Sequence, residues 1–272
     1  MSYHWIHAED YDINTLLLLD RWMLRHLAGL SDSGYMMDAR YRLCLGAVLR
    51  AHPHLAWYFT HRCPESAEVV SALIAAAPDA PDAAALRAYE VELLDTLDAF
   101  VVYTDPAAMN ACPYIRDWTP ERLLEMADFR DKVVLDVGSG TGRLAFAAAT
   151  VARRVYASEP GDCLREYLRE EAARRGVDNV VVLDGVIEAI PFEPDTFDIA
   201  MTAHVLGVDL DREIANLERV VKPGGLILDC MGEDDRRQDG PNEGLLRHGF
   251  TYAHYIGRNG GDIYRYCKRV EK

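Results

Sequence analysis

Apolar positions fall into two textures along this 272-residue chain. From Asn14 to Tyr103 they recur at steps of three and four, the spacing that lines one face of a helix. Leu16, Leu19, Met23, Leu27 and Leu30 mark a first helix, closed by the turn sequence Ser31-Asp32-Ser33-Gly34. Leu43, Ala47 and Val48 mark a second, which His52-Pro53 ends. A third begins near Pro64-Glu65-Ser66, buries Val69, Val70, Leu73 and Ile74, and stops before Pro78-Asp79-Ala80-Pro81. A fourth, with Leu86, Tyr89, Leu93, Leu97 and Val101 on one face, reaches Tyr103. Residues 104–118 show no period. Thr119-Pro120-Glu121 then supplies an N-cap, a proline for the first helical position and a first-turn acid, for a helix ending near Asp128.

From Lys132 the pattern becomes strand, helix, strand. Val133-Val134-Leu135-Asp136-Val137 is an apolar run broken by one acid, as a parallel strand covered on both faces should be. Helices are expected at about 142–152, 161–175, 210–220 and 241–248. Strands are expected at 154–158, 179–183, 197–202, 225–230, 250–256 and 262–270, the last two joined by Gly257-Arg258-Asn259-Gly260-Gly261. This alternation predicts an α/β fold, a doubly wound sheet with helices on both faces, behind an N-terminal all-α domain. The boundary is drawn at 118/119.

Charge narrows the partners. Residues 1–131 hold 10 basic and 20 acidic side chains, net −10, and residues 132–272 hold 19 and 24, net −5. Neither half has the basic surplus that phosphate neutralisation demands, so nucleic acid is not expected as a partner. No apolar run approaches the roughly 20 residues needed to span a bilayer, and the start (Met1-Ser2-Tyr3-His4-Trp5) is not a signal peptide, so a cytoplasmic protein without a membrane partner is expected. The six cysteines show no C-x-x-C pair, and His52, His54 and His61 lack the acids or thiols that would complete a metal site. Neither a disulfide nor a metal is expected.

The candidate chemistry centres on Asp136-Val137-Gly138-Ser139-Gly140-Thr141-Gly142, between a strand and a helix. Glycines there let backbone approach a ligand where a Cβ would clash. A nicotinamide loop places its third glycine three residues after the second; here that position is Arg143, and the glycine comes one residue early, at Gly142. Asp136 would repel a pyrophosphate and attract the ammonium of a methionine moiety.

Val134 to Gly142 resembles the first motif of the class I S-adenosylmethionine-dependent methyltransferases. Glu159 ends the second strand 23 residues after Asp136, where that family holds both ribose hydroxyls. Glu188-Ala189-Ile190-Pro191-Phe192 with Asp195-Thr196-Phe197-Asp198, and Val220-Val221-Lys222-Pro223-Gly224-Gly225-Leu226, resemble later motifs in order. The resemblance covers about residues 119–272. It implies a seven-stranded mixed sheet whose last two strands form a hairpin pair. It also implies S-adenosylmethionine as cofactor, S-adenosylhomocysteine as product, and binding through Asp136, Gly138, Ser139, Gly140, Thr141, Gly142, Glu159 and Pro160. Where many members carry an acid for the adenine amino group this chain has Val186, leaving Asp184, Glu188 or the backbone of Ile187 for that task. His204, after the fourth strand, is the candidate proton acceptor or cofactor contact. Tyr114 and Trp118 are the candidate acceptor-pocket wall, with residues 1–118 as a helical cap and Tyr3, His4, Trp5, His7 and Tyr11 as a candidate lid.

The expected activity is in-line methyl transfer to a small-molecule acceptor. A protein or RNA methyltransferase, or a non-catalytic module that keeps the cofactor, are the alternatives. The oligomeric state is left open.

Overall fold

The computed structural model describes residues 7–30, 38–78, 82–232, 238–258 and 260–272 and divides into two units that meet at Thr104/Asp105. Tyr3, His4 and Trp5 of the expected lid, the Ser31–Gly34 turn, Asp79-Ala80-Pro81 and Asn259 lie outside the described residues.

The first unit is helical, and the expected apolar faces are its core: Leu16, Leu19, Met23, Leu27, Val48, Val70, Leu73, Leu93 and Leu97 are all buried. Its segmentation differs from the periodicity in two places. The single helix expected from Asn14 is a 3₁₀ turn, Ile13–Leu18, followed by α1 (Arg21–Leu27). The chain is extended at Leu19 and Asp20, and the buried Asp20 carboxylate caps α1 by accepting from the Met23 amide at 3.0 Å. Pro53 ends α2 (Ala39–Ala51) and also opens α3 (Pro53–Arg62), which the sequence reading lacks. Proline has no N–H, and the first helical position needs none. α4 (Ala67–Ala76) and α5 (Ala83–Asp95) follow, and a 3₁₀ turn leads into α6 (Val101–Thr104).

The second unit begins upstream of the boundary drawn at 118. Residues 104–118, read as irregular, hold α7 (Pro106–Ala111) and α8 (Pro113–Arg116), both opened by proline as α3 is. α9 (Glu121–Leu124) is shorter than expected. Seven strands then follow: β1 (Val133–Val137), β2 (Arg154–Ser158), β3 (Val180–Leu183), β4 (Phe197–Thr202), β5 (Val221–Asp229), β6 (Thr251–Ile256) and β7 (Asp262–Arg269). They form one sheet in the order β3-β2-β1-β4-β5-β7-β6. The first five pair in parallel, and β7 runs antiparallel to both neighbours, so the sheet is mixed. α10 (Arg143–Ala149), α11 (Asp162–Arg175), α12 (Leu210–Val220) and α13 (Glu243–Arg247) connect them.

β5 starts earlier than expected. Val221 pairs with Phe197 before Pro223-Gly224-Gly225 shift the register, and pairing resumes at Ile199–Leu226. Alternate strand residues feed two cores. Val134, Val155, Met201 and Leu228 pack with α10, while Leu135, Ala200 and Ile227 pack with α12. β1, β2, β4 and β5 all end at one sheet edge, and Asp136, Ser158, Thr202 and Asp229 are buried there.

Candidate functional site

The turn leaving β1 carries three left-handed glycines, Gly138 (φ +68), Gly140 (φ +54) and Gly142 (φ +87). The loop is pinned to β2: Gly138 and Ser139 amides donate to the Ser158 carbonyl at 2.8 and 3.1 Å. Side chains at these glycines would collide with neighbours. A Cβ on Gly138 would sit 2.5 Å from Val205, and one on Gly140 3.0 Å from the Met109 sulfur, on α7. Thr141 and Ser139 are buried within the turn, and the Ser139 hydroxyl donates to the Asp136 carbonyl at 3.0 Å.

Glu159 is buried, and both carboxylate oxygens close on backbone. Oε2 accepts from the Gly140 amide and Oε1 from the Gly161 amide, each at 2.8 Å. The acid at the end of β2 thus fastens the glycine loop to the start of α11, beside the half-buried Pro160. Of the three candidates for adenine, Ile187 is buried and Glu188 half-buried, whereas Asp184 is exposed and pairs with Arg165 at 3.3 Å.

Asp136 is buried, and its Oδ2 has no hydrogen-bond partner. Burial pushes its carboxyl up to about 7, against the opposing pull of Ser139 and Arg143. Arg143, the first residue of α10, stacks its guanidinium 4.9 Å from the Trp118 ring centre and donates to the Cys230 carbonyl at 3.4 Å. Its Nη1 is buried without a partner, and burial holds the guanidinium below its usual range. The Arg143 charge also acts on Asp229, at the end of β5. Asp229 is 4% exposed, accepts from the Thr202 hydroxyl at 2.9 Å, and is raised to about 6 by burial. Two buried carboxylates therefore share one buried guanidinium.

His204 follows β4 with left-handed backbone (φ +60), a conformation a non-glycine residue adopts at a cost. It is exposed, its Nε2 accepts from the Gly232 amide at 3.4 Å, and its ring lies 4.7 Å from that of Tyr114. Tyr114 therefore stands beside the candidate histidine. Trp118 packs instead among core residues, under Arg143.

A cavity of about 260 Å³ opens next to His204, lined also by Leu206, Asp229, Met231, Gln238, Asn242, Leu245, Tyr264 and Tyr266. It is built wholly from the second unit, whereas the sequence reading looked to residues 1–118 for the acceptor pocket. The residue after His204 is Val205, which packs on Gly138, so cavity and glycine loop are adjacent. Sequence reasoning missed Met109, Asp229, Tyr264 and Tyr266. For Asp229 a signal existed, since Leu226-Ile227-Leu228-Asp229 is an apolar run with an acid, the pattern that singled out Asp136.

Among the described residues, no group of His, Cys, Asp and Glu side chains could hold a metal ion, and no helix is long and apolar enough to cross a membrane.

Residues 134–225 match the family described as Methyltransferase domain. The ubiquinone/menaquinone biosynthesis C-methyltransferase UbiE of Marinomonas sp. (strain MWYL1) is 34% identical over 101 residues, covering 35% of this chain and 40% of its own. The uncharacterized methyltransferase YcgJ of Bacillus subtilis (strain 168) is 30% identical over 107 residues, 38% of this chain and 42% of its own. The chain spans 40% and 42% of the lengths of these two relatives. Among solved structures, the methyltransferase in the Haloferax volcanii complex with the Trm112 methyltransferase activator aligns over 63% of this chain and 97% of its own. Its TM-score is 0.50 at 15% identity, a likeness of fold alone.

Proposed function

We propose, since the chain belongs through residues 134–225 to the class I S-adenosylmethionine-dependent methyltransferases, that its second unit passes a methyl group from S-adenosylmethionine to a small molecule. S-adenosylmethionine supplies that methyl already activated as a sulfonium, and S-adenosylhomocysteine is what remains.

The observation that carries the reading is Asp136 Oδ2, a buried carboxylate oxygen without a hydrogen-bond partner beside three left-handed glycines. A buried charge in that state is costly, and a ligand ammonium would relieve it. The residues fit the cofactor in other respects. Gly138 and Gly140 leave the loop backbone open to the methionine moiety, with Ser139, Thr141 and Gly142 shaping the turn. Glu159, the acid that ends β2, accepts amide hydrogen bonds from Gly140 and Gly161 and so stands against the glycine loop, where a ribose would lie. Ile187 and Glu188 are assigned to adenine ahead of the solvent-facing Asp184.

The cavity beside His204 is assigned to the acceptor. Its volume suits a small molecule better than a polymer chain. His204 lines it, with the Tyr114 ring 4.7 Å from the histidine ring. His204 would act as a proton acceptor only after Nε2 leaves the Gly232 amide, so its first role is to orient. Holding a nucleophile in line, away from water, is most of what transfer from a sulfonium requires.

Calorimetric titration of the full chain tests the reading. S-adenosylhomocysteine should bind and NAD should not; tight NAD binding with no heat from S-adenosylhomocysteine overturns it.

A further inference from the structure

The cavity beside His204 has a chemical bias. Of the described residues that line it, Asp229 is the one carboxylate, and none is Lys or Arg. The guanidinium whose charge acts on Asp229, that of Arg143, is shared with Asp136. An acceptor that brought a carboxylate or phosphate would add negative charge to a buried acid with no cation among the described lining residues to answer it. A positive charge meets the opposite situation, because Asp229 has lost its hydration and keeps one neutral donor, the Thr202 hydroxyl.

The aromatic wall points the same way. Tyr264 and Tyr266 both line the cavity. The amide of Asn242 donates to the Tyr266 hydroxyl at 2.7 Å, which fixes that ring. Tyr264 is held by stacking on His254, with ring centres 4.6 Å apart, and by an edge contact with Tyr252 at 5.6 Å. Ring faces attract cations, more strongly when water is excluded, and a fixed ring loses little entropy on binding one. Asn242 and Gln238 add neutral hydrogen-bonding groups to the same wall.

We propose that this cavity is an amine subsite, holding the positively charged nitrogen of a small acceptor between Asp229 and the rings of Tyr264 and Tyr266. The inference names the acceptor class for the methyl transfer proposed above and rests on that reading. It concerns where a charged nitrogen binds, and it can be tested without turnover.

Three probes of one shape separate charge from bulk: benzylamine, benzyl alcohol and benzoate, each titrated into the full chain by calorimetry at pH 7.5. Benzylamine should bind at least tenfold tighter than benzyl alcohol, with benzoate weakest. Asp229→Asn, which keeps an acceptor for Thr202, should remove that preference, and Tyr264→Leu should cut benzylamine affinity severalfold while Tyr264→Phe keeps it. Equal affinity for the amine and the alcohol, or tighter binding of benzoate, overturns the proposal. Should either variant fail to fold, the ranking of the three probes on the unaltered chain still decides. S-adenosylhomocysteine titrated into the same samples separates the two ideas. Its binding without any amine preference sinks the subsite alone, and its failure to bind sinks the methyl-transfer reading, taking the cavity's acceptor role with it.

Discussion

The two units treat buried charge differently. In the helical unit, Glu90 is 8% exposed and fully answered: His52 Nε2 lies 2.7 Å from one oxygen and Arg87 3.1 Å from the other. Asp20, also buried there, caps α1. At the sheet edge, Asp136 keeps a partnerless oxygen, Arg143 keeps a partnerless Nη1, and Asp229 shares that same guanidinium. A fold satisfies its interior polar groups where structure is the only demand. Where it leaves them short, at the end of parallel strands and beside left-handed glycines, the proposed function supplies the missing partner as a bound ligand.

Substitutions can break that contrast, and Gly140→Val should do so most severely. Its Cβ needs space 3.0 Å from the Met109 sulfur, and a left-handed backbone costs a β-branched residue about 1–2 kcal/mol. S-adenosylhomocysteine affinity should fall at least ~100-fold, the loss that a few kcal/mol produces, with the circular dichroism spectrum retained. Unaltered affinity in the folded variant would make the glycine a turn residue only.

Asp136→Asn should cut affinity by roughly 10- to 100-fold, as the loss of a buried charge partner does. Its effect on stability should have the opposite sign. A carboxyl raised to about 7 favours the empty fold in acid, and that contribution is lost as pH rises through 7. The asparagine variant escapes that loss, so without ligand it should melt above the unaltered chain at pH 8. A lower melting temperature would mean the acid is structural.

Glu159→Ala sharpens the comparison because this acid serves both ends. It should weaken S-adenosylhomocysteine binding by about 1.5–3 kcal/mol, the worth of charge-assisted hydrogen bonds. Thermal melting should also fall, because the Gly140 and Gly161 amides lose their acceptor. Normal binding with reduced stability would leave it as a loop fastener alone. Smaller again, Glu90→Gln should lower stability by roughly 2 kcal/mol by denaturant unfolding, since a buried ion-pair partner is removed without relieving any unmet charge. Stability equal to that of the unaltered chain would erase the contrast from the helical side.

The sheet was more legible than the helices, and the reason is physical. Strands 154–158 and 197–202 and helix 210–220 appear where continuous apolar runs or a strong 3.6-residue period placed them. In the helical unit the faces were readable, but Pro53 was read only as a stop; there, and at Pro106 and Pro113 in the stretch 104–118 read as irregular, each proline opens a helix. The glycine loop and Glu159 were legible because close backbone approach and a strand-ending acid leave marks in sequence. Met109 leaves no mark, since its place over Gly140 depends on how α7 folds back. Tyr264 and Tyr266 reach the cavity only because β7 inserts antiparallel beside β5, which local pattern does not reveal.

The central claim of the proposed function is that the Asp136 carboxylate takes a ligand ammonium as its partner. Its most direct test is calorimetric affinity for S-adenosylhomocysteine across pH 8 to 6, in the unaltered chain and in Asp136→Asn. In the empty site the carboxyl titrates at about 7, and an ammonium beside it would favour the ionised form, so binding requires the ionised state. Affinity should therefore be highest at pH 8 and fall about tenfold by pH 6, as the ionised fraction does. The asparagine variant should bind weakly with most of that dependence gone. Affinity that is flat between pH 8 and 6, or a pH slope that survives in Asp136→Asn, would contradict the account.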